Sequence, residues 1–312
     1  MSMSRVLITG AGGFIGAALA RRAVADGHEV YAILKSGTDR WRLKGVIEGI
    51  RVHEADLRDL DGLRRVVAQS RPHRIYHLAA NGAYPFQLDA DSIIQSNVLG
   101  TWNLLKALGS TDFETFVSAG SSSEYGFKSF AMRETDLPEP NSYYAVSKCA
   151  QTMLCQQAAR TDKRSINSLR IFSAYGPWEE PSRLVPTLIR RCLDRQELLL
   201  VPPDTGRDFV FVDDVVEAFL RVDALSRLHG EVINIGSGVQ STVRDMVDAV
   251  LAHTGATVEC RWGAMKPRIW DASVWVADCT RARTLLGWRA RTTLSDGIAR
   301  TVAWTRQQRA RA

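Results

Sequence analysis

The first 172 residues alternate between two kinds of segment. Apolar runs suited to β-strands stand at RVLIT, EVYAIL, IRVHEA, RIYHLA, TFVSA and SINSLRI. Between them, residues 14–26, 59–70, 89–108 and 142–160 carry the apolar period of helices. This alternation leaves a chain few options. Parallel strands need long crossovers, and the helices are those crossovers. Several runs are apolar at nearly every position, as strands covered on both faces must be.

After residue 172 the pattern loosens. SAYGPWEEPSRLVP is rich in Pro and Gly and reads as a long loop, which in a compact domain is more often functional than idle. A helix is expected over 183–194. RDFVFVDDVVEAFLRV reads as a strand turning into a helix with Asp213 as N-cap. TVRDMVDAVLAHTG is an amphipathic helix closed by Gly255, and a last helix is expected at 293–308. The predicted fold class is α/β: a Rossmann-like doubly wound parallel sheet over 1–172, to which 209–238 return. Segments 173–208 and 239–312 are expected to form a smaller α/β lobe over the carboxyl ends of the sheet, where ligands of open α/β folds bind.

Composition narrows the function classes. The chain has 312 residues, 45% hydrophobic and 24% charged, an ordinary globular balance. No apolar run is long enough to span a bilayer. The start, MSMSRVLITG, enters a strand directly and lacks a signal-peptide pattern, so a cytoplasmic protein with no membrane partner is expected. Cys149, Cys155, Cys192, Cys260 and Cys279 form no CxxC pair and have no histidine cluster, which predicts reduced, mostly buried thiols, no disulfide framework and no metal site. The net charge of +6 is mild, and no basic stripe is interleaved with aromatics, so no nucleic-acid partner is expected.

VLITGAGGFIG follows the first strand and opens a helix at about Phe14. Gly10, Gly13 and Gly16 let the backbone turn tightly and approach a pyrophosphate, while the helix N-terminus at Phe14 and Ile15 offers N–H groups to it. This predicts a dinucleotide site, with a spacing one residue longer than GxGxxG. At the end of the second strand an acid would favour the ribose of NAD(H), and a base the extra phosphate of NADP(H). The segment reads HEVYAILKSGTDR: Leu34, Lys35 and Ser36 stand where the acid would be. NADP(H) is therefore favoured, with NAD(H) as the alternative.

NSYYAVSKCA places Tyr144 four residues before Lys148, on one helical face. Tyr143 is rotated away by about 100°. A free phenol has a pKa of about 10, too high for neutral acid–base work, and a neighbouring ammonium lowers such a value. The pair suits proton transfer at a hydroxyl or carbonyl oxygen while a nicotinamide exchanges hydride at the carbon.

On these residues the chain resembles the extended short-chain dehydrogenase/reductases, the NAD-dependent epimerase/dehydratase family acting on nucleotide sugars. The resemblance runs through TGAGGFIG, ADLRD, HLAA, SNVLGTWNLL, SAGSSSEYG, SYYAVSK, LRIFSAYGP, GRDFVFVDD, KPRIWD and LLGW, in that order. It implies adenine contacts from Asp56 and Leu57, a nicotinamide-ribose segment at Leu78, Ala79 and Ala80, and a cofactor-side role for Asn97. It implies a third catalytic hydroxyl from Ser121, with Ser122 the alternative because the serine run is one residue longer than usual. It further implies substrate contacts from Ser122, from Ser173 (where an asparagine is common), from Arg207 and Arg268 toward a diphosphate, and from Asp271. Glu124 would take the place of a dehydratase acid only if the register slipped. The expected enzyme reduces a 4-keto-6-deoxy nucleotide sugar at C4, with Ser121, Tyr144 and Lys148 as the catalytic set. A 4-epimerase with tightly held NAD is the alternative. A sugar dehydratase and a catalytically silent dinucleotide-binding regulator are weaker ones. A homodimer is expected through residues 89–108, with Ile93, Ile94, Val98, Trp102 and Leu105, and through 142–160.

Overall fold

The computed structural model describes residues 3–84, 86–109, 111–265 and 272–311. Arg268 and Asp271 lie outside the described residues. The chain divides into two units, one of residues 1–126, 137–170 and 216–233, the other of 127–136, 171–215 and 234–312.

In the first unit the alternation becomes β1 (Arg5–Thr9), α1 (Phe14–Ala25), β2 (Glu29–Leu34), β3 (Ile50–Glu54), α2 (Leu60–Ser70), β4 (Arg74–His77), α3 (Ala90–Ile94), α4 (Gly100–Leu108), β5 (Thr115–Ser121), α5 (Tyr143–Asp162) and β6 (Ile166–Ile171). A further strand, Val232–Ile235, completes a seven-stranded sheet in the order Val232–Ile235, β6, β5, β4, β1, β2, β3. β1 runs parallel to both β2 and β4, with Val6 opposite Val30 on one side and Arg74 on the other. The strand order therefore reverses at β1 and β4, the place where open α/β sheets leave a crevice at the carboxyl ends.

Side chains alternate across a strand, and here each face meets helices. Leu7, Ile33, Ile75, Phe116 and Ile166 share one core with Leu63 of α2, Leu104 of α4 and Cys155 of α5. On the opposite face the Tyr76 ring meets Phe219 edge-on at 6.0 Å, and Arg22 of α1 pairs with Glu217 at 3.3 Å. The unit is the expected Rossmann-like doubly wound sheet. Local chemistry sets its helix ends. The Asp59 carboxylate accepts the Gly62 N–H at 3.0 Å to start α2, and Ser142 Oγ accepts the Ala145 N–H at 3.2 Å to start α5.

One helix differs from its period. Between α3 and α4, residues Gln95–Leu99 form a π turn, so the expected single helix over 89–108 is three segments. Such wide turns recur at functional sites, and this one carries Asn97, which is fully buried.

In the second unit, the short strands Ser173–Tyr175 and Phe209–Phe211 pair in parallel. Helices Leu184–Leu193, Val243–Thr254 and Leu294–Arg311 close over them around Tyr175, Ile189, Phe211, Met246 and Ile298. Gly255 ends the second of these helices at φ 67°, its N–H bonded to Leu251 O at 2.9 Å, as its position predicts. Asp213 is not an N-cap. The strand ending at Phe211 runs straight into a helix beginning at Val212, so Asp213 falls in the first turn and pairs with Arg300. Among the described residues no helix is long and apolar enough to cross a membrane.

Candidate active site

The glycine turn joins β1 to α1. Gly10 sits at φ 73°, in the left-handed region that glycine alone adopts freely, and a Cβ there would lie 2.5 Å from the Ala79 nitrogen. A Cβ on Gly16 would collide with the Gly10 carbonyl oxygen. The Gly13 N–H bonds to Gly10 O at 2.9 Å, and no side chain caps the α1 N-terminus that follows at Phe14 and Ile15. A backbone cradle that any side chain would fill, opening on the uncapped N-terminus of a 12-residue helix, fits a dinucleotide pyrophosphate.

The loop after β2 is fastened over this turn by residues the sequence did not single out. The buried Arg42 guanidinium reaches Gly12 O at 3.4 Å, while Arg42 O accepts from Arg21 of α1 at 2.8 Å. Lys35 and Ser36 lie exposed at the end of β2. No acid stands at that strand end, but one reaches it from β3: Asp56 Oδ2 lies 3.9 Å from Lys35 Nζ. The Arg58 guanidinium, 2.7 Å from Asp56, holds that carboxyl below the usual carboxylate range, with Lys35 adding to the effect. Leu57 packs under α4, where a Cβ on Gly100 would come within 2.8 Å of its own Cβ.

Beyond β4, Leu78 and Ala79 are tied to β1. The Leu78 N–H bonds to Thr9 O at 3.1 Å, and the Ala79 N–H to Thr9 Oγ1 at 3.2 Å. Ala80 follows, exposed. His77 beneath them is fully buried, with Nδ1 2.7 Å from Thr9 Oγ1 and Nε2 2.9 Å from Thr101 Oγ1. The Thr101 hydroxyl donates to Asn97 O at 2.6 Å, so it accepts from His77 Nε2–H, and Nδ1 accepts from Thr9. Both ring nitrogens are thus satisfied in the neutral form. Burial, with Lys148 as a nearby cation, lowers the imidazole to about 3. Asn97 extends the network. Its Oδ1 accepts the Asn81 N–H at 2.7 Å, and its Nδ2 donates to Asn81 O and to Ser147 Oγ, each at 2.8 Å. Ser147 in turn donates to Tyr144 O at 2.7 Å. The end of β1, β4, the π turn and α5 are therefore linked by one chain of hydrogen bonds.

On α5, Tyr143 is exposed and Tyr144 half-buried, as the helical register predicts. Lys148 is buried, its Nζ donating to Gln151 Oε1 at 2.8 Å, while Gln151 Nε2 donates to Ser118 Oγ of β5 at 2.7 Å. Burial lowers the ammonium to about 8, against the raising influence of Glu124 and Cys155. Gln151 lies three residues after Lys148 on the same face, a spacing visible in the sequence.

Ser121 ends β5 half-buried and caps the short helical turn Ser122–Tyr125, its Oγ 2.8 Å from Ser123 Oγ. Ser122 is buried. Glu124 turns inward, away from the role of an exposed acid, and its Oε2 accepts from Arg170 Nε at 2.8 Å.

The other substrate candidates belong to the second unit. Ser173 donates its N–H to Asp208 O at 3.0 Å. The Arg207 guanidinium stands 6.0 Å from the Trp275 ring centroid and donates to Gly206 O at 2.7 Å.

A family model described as the NAD dependent epimerase/dehydratase family matches residues 6–236. A UDP-glucose 4-epimerase of Mycolicibacterium smegmatis is 31% identical, the alignment covering 97% of this chain and 99% of that protein. The UDP-glucose 4-epimerase of Thermotoga maritima, solved with UDP-glucose, superposes with a TM-score of 0.88 at 27% identity, over 97% of this chain and 99% of that one. MoeE5, solved with UDP-glucose and NAD, gives 0.84 at 33% identity over the same shares of the two chains. Sequence likeness over the whole length thus joins the glycine cradle and the Tyr–Lys helix, and the chain belongs to the NAD-dependent epimerase/dehydratase family.

Proposed function

We propose that the chain is a nicotinamide-dependent oxidoreductase that works at C4 of a nucleotide-activated sugar. One observation carries the reading: Lys148, buried and held by Gln151, shares a face of α5 with Tyr144. When bound, the nicotinamide gives or takes hydride at the sugar carbon. Tyr144 passes the proton at the oxygen, Ser121 hydrogen-bonds that oxygen, and Lys148 supplies positive charge beside the phenol. The glycine cradle and the α1 N-terminus hold the pyrophosphate. Arg207 is the described cation for the substrate diphosphate.

Within this chemistry, net reduction of a 4-keto-6-deoxy sugar with NADP(H) is supported by the strand end at Leu34, Lys35 and Ser36, which offers a cation and a hydroxyl where NAD(H) would want an acid. The second reading, a 4-epimerase on NAD, is supported by the epimerases among its relatives. Dehydration is disfavoured, because the one carboxylate of the serine turn, Glu124, is buried against Arg170.

The test is a fluorescence titration with NADPH and NADH, together with mass spectrometry of small molecules released from the purified protein. The reductase reading expects tighter NADPH binding and stoichiometric NADPH consumption with a 4-keto sugar nucleotide. Tighter NADH binding, with C4 epimers interconverting and no net change in nicotinamide, would establish the epimerase instead.

A further inference from the structure

An ammonium in the interior needs a hydrogen-bond acceptor, because burial alone favours the neutral amine. Lys148 is 2% exposed. Among the described residues its Nζ has one hydrogen-bond acceptor, Gln151 Oε1 at 2.8 Å. An ammonium can only donate, so the carbonyl end of the Gln151 amide faces Lys148. The amino end then donates to Ser118 Oγ at 2.7 Å. Gln151 and Ser118 are each 1% exposed, and Ser118 sits on β5 in register with His77 of β4. A strand of the central sheet therefore sets the direction of the amide, and the amide sets the place of Nζ. The flexible four-carbon stem of a lysine would not fix that place by itself.

The titratable groups around Nζ act on it through space. They are Glu124 from the serine turn, Cys155 from α5 and His77 from β4. Burial holds the Cys155 thiol up at about 11 and the His77 imidazole down at about 3, so both are neutral. Both Glu124 oxygens are engaged elsewhere, by the Ser121 N–H and by Arg170 Nε, each at 2.8 Å. Gln151 is the group that touches the ammonium. Its neutrality matters as much as its reach. A carboxylate of the same length would hold Nζ but offset its charge, and the Tyr144 phenol would sense a neutral pair. The amide holds the ammonium and leaves the charge whole, with two further N–H donors for the site.

We propose that Gln151 is a positioning residue of the active site: anchored on Ser118, it fixes the Lys148 ammonium one helical turn from Tyr144 without offsetting its charge. The proposal rests on the functional reading above, in which Lys148 acts as a cation beside the phenol.

The test reads Lys148 directly. Protein labelled with carbon-13 at lysine Cε is titrated by NMR from about pH 6 to 10, and the Lys148 resonance is identified by its absence from Lys148→Met. In the wild type it should titrate near pH 8. Gln151→Glu keeps the acceptor and adds a charge, so it should raise that value by about one unit. Gln151→Met keeps the length and removes the acceptor, so it should lower the value by about one unit. Turnover is measured alongside, of a 4-keto nucleotide sugar with NADPH or, on the epimerase reading, by C4 interconversion. Gln151→Met should lower kcat more than about fivefold at a KM within about twofold of the wild type, the pattern of a misplaced group rather than a lost substrate contact. A folded Gln151→Met whose Lys148 titrates as in the wild type, or whose kcat falls less, makes Gln151 merely structural and overturns the proposal. If Gln151→Met does not fold, Ser118→Ala replaces it: the amide is then free to turn, a lower Lys148 titration with a lower kcat supports the proposal, and wild-type values of either overturn it. Lys148→Met turning over like the wild type would sink the functional reading and the proposal with it, while the NMR shifts would still record the contact, so the two failures are told apart.

Discussion

Tyr143 and Tyr144 are chemically identical neighbours with opposite surroundings. Tyr143 is 65% exposed at the first position of α5. Tyr144 is half-buried, its backbone held by Ser147 and its Cβ 3.3 Å from where a Cβ on Gly82 would stand. Tyr144→Phe removes one hydroxyl, so cofactor affinity should persist while turnover falls roughly 10²–10⁴-fold. Tyr143→Phe should change turnover less than about threefold, since exposed substitutions away from a site cost little. Stopped-flow turnover with titrated cofactor separates the two, and a more damaging Tyr143→Phe would refute the register on which the mechanism stands. At this scale the sequence was informative wherever partners are close in the chain. The glycine turn spans seven residues and the Tyr–Lys pair one helical turn, so spacing alone exposes them. Glu124 and Arg170 are 46 residues apart, and only the pairing of β5 with β6 in one sheet order brings them together. No local pattern announces that contact.

Helices were legible to within three residues at their ends, because the apolar period reports burial. The π turn was not, since five residues cannot reveal a change from 3.6 residues per turn. That turn decides which side chains of the segment face the interior. Of the apolar residues expected at a dimer face, Ile93 and Leu105 are buried in the unit's own core, whereas Trp102 is 45% exposed. Leu99 beside it is 51% exposed, and α5 adds Val146 and Met153 at 42% and 59%. Exposed apolar side chains gathered on two adjacent helices are the usual mark of an interface. We propose a homodimer through α4 and α5. Light scattering should give about twice the 34.6 kDa chain mass at micromolar concentration, and Trp102→Glu should halve it. A monomeric wild type would rule the dimer out.

For the whole molecule, alternation fixed the class of the sheet but not its strand order, because pairing between β1 and β4 is a long-range choice among strands of similar composition. The polar network at that junction was equally hidden: Asn97 stood out within its motif, but its partners Thr9, His77 and Thr101 look unremarkable until two parallel strands and a helix meet. It carries a cost in acid. An imidazole whose native value is near 3, against 6.5 when unfolded, refuses a proton that the unfolded chain accepts. Above pH 6.5 this has no effect on folding. As the pH falls through that value, the unfolded state alone gains a proton, and stability declines by about 1.4 kcal/mol per pH unit from this one group. His28 and His53, also lowered by burial, add to the trend. Calorimetry between pH 6.5 and 5 should therefore show the melting temperature dropping steadily. His77→Gln, which can still donate to Thr101 and accept from Thr9, should flatten that slope by one proton. An unchanged slope would mean that the ring finds room for a second proton in the native state. The interior that aligns β1, β4 and the π turn thus ties the fold to neutral surroundings, and mild acidification should draw down its stability through buried imidazoles.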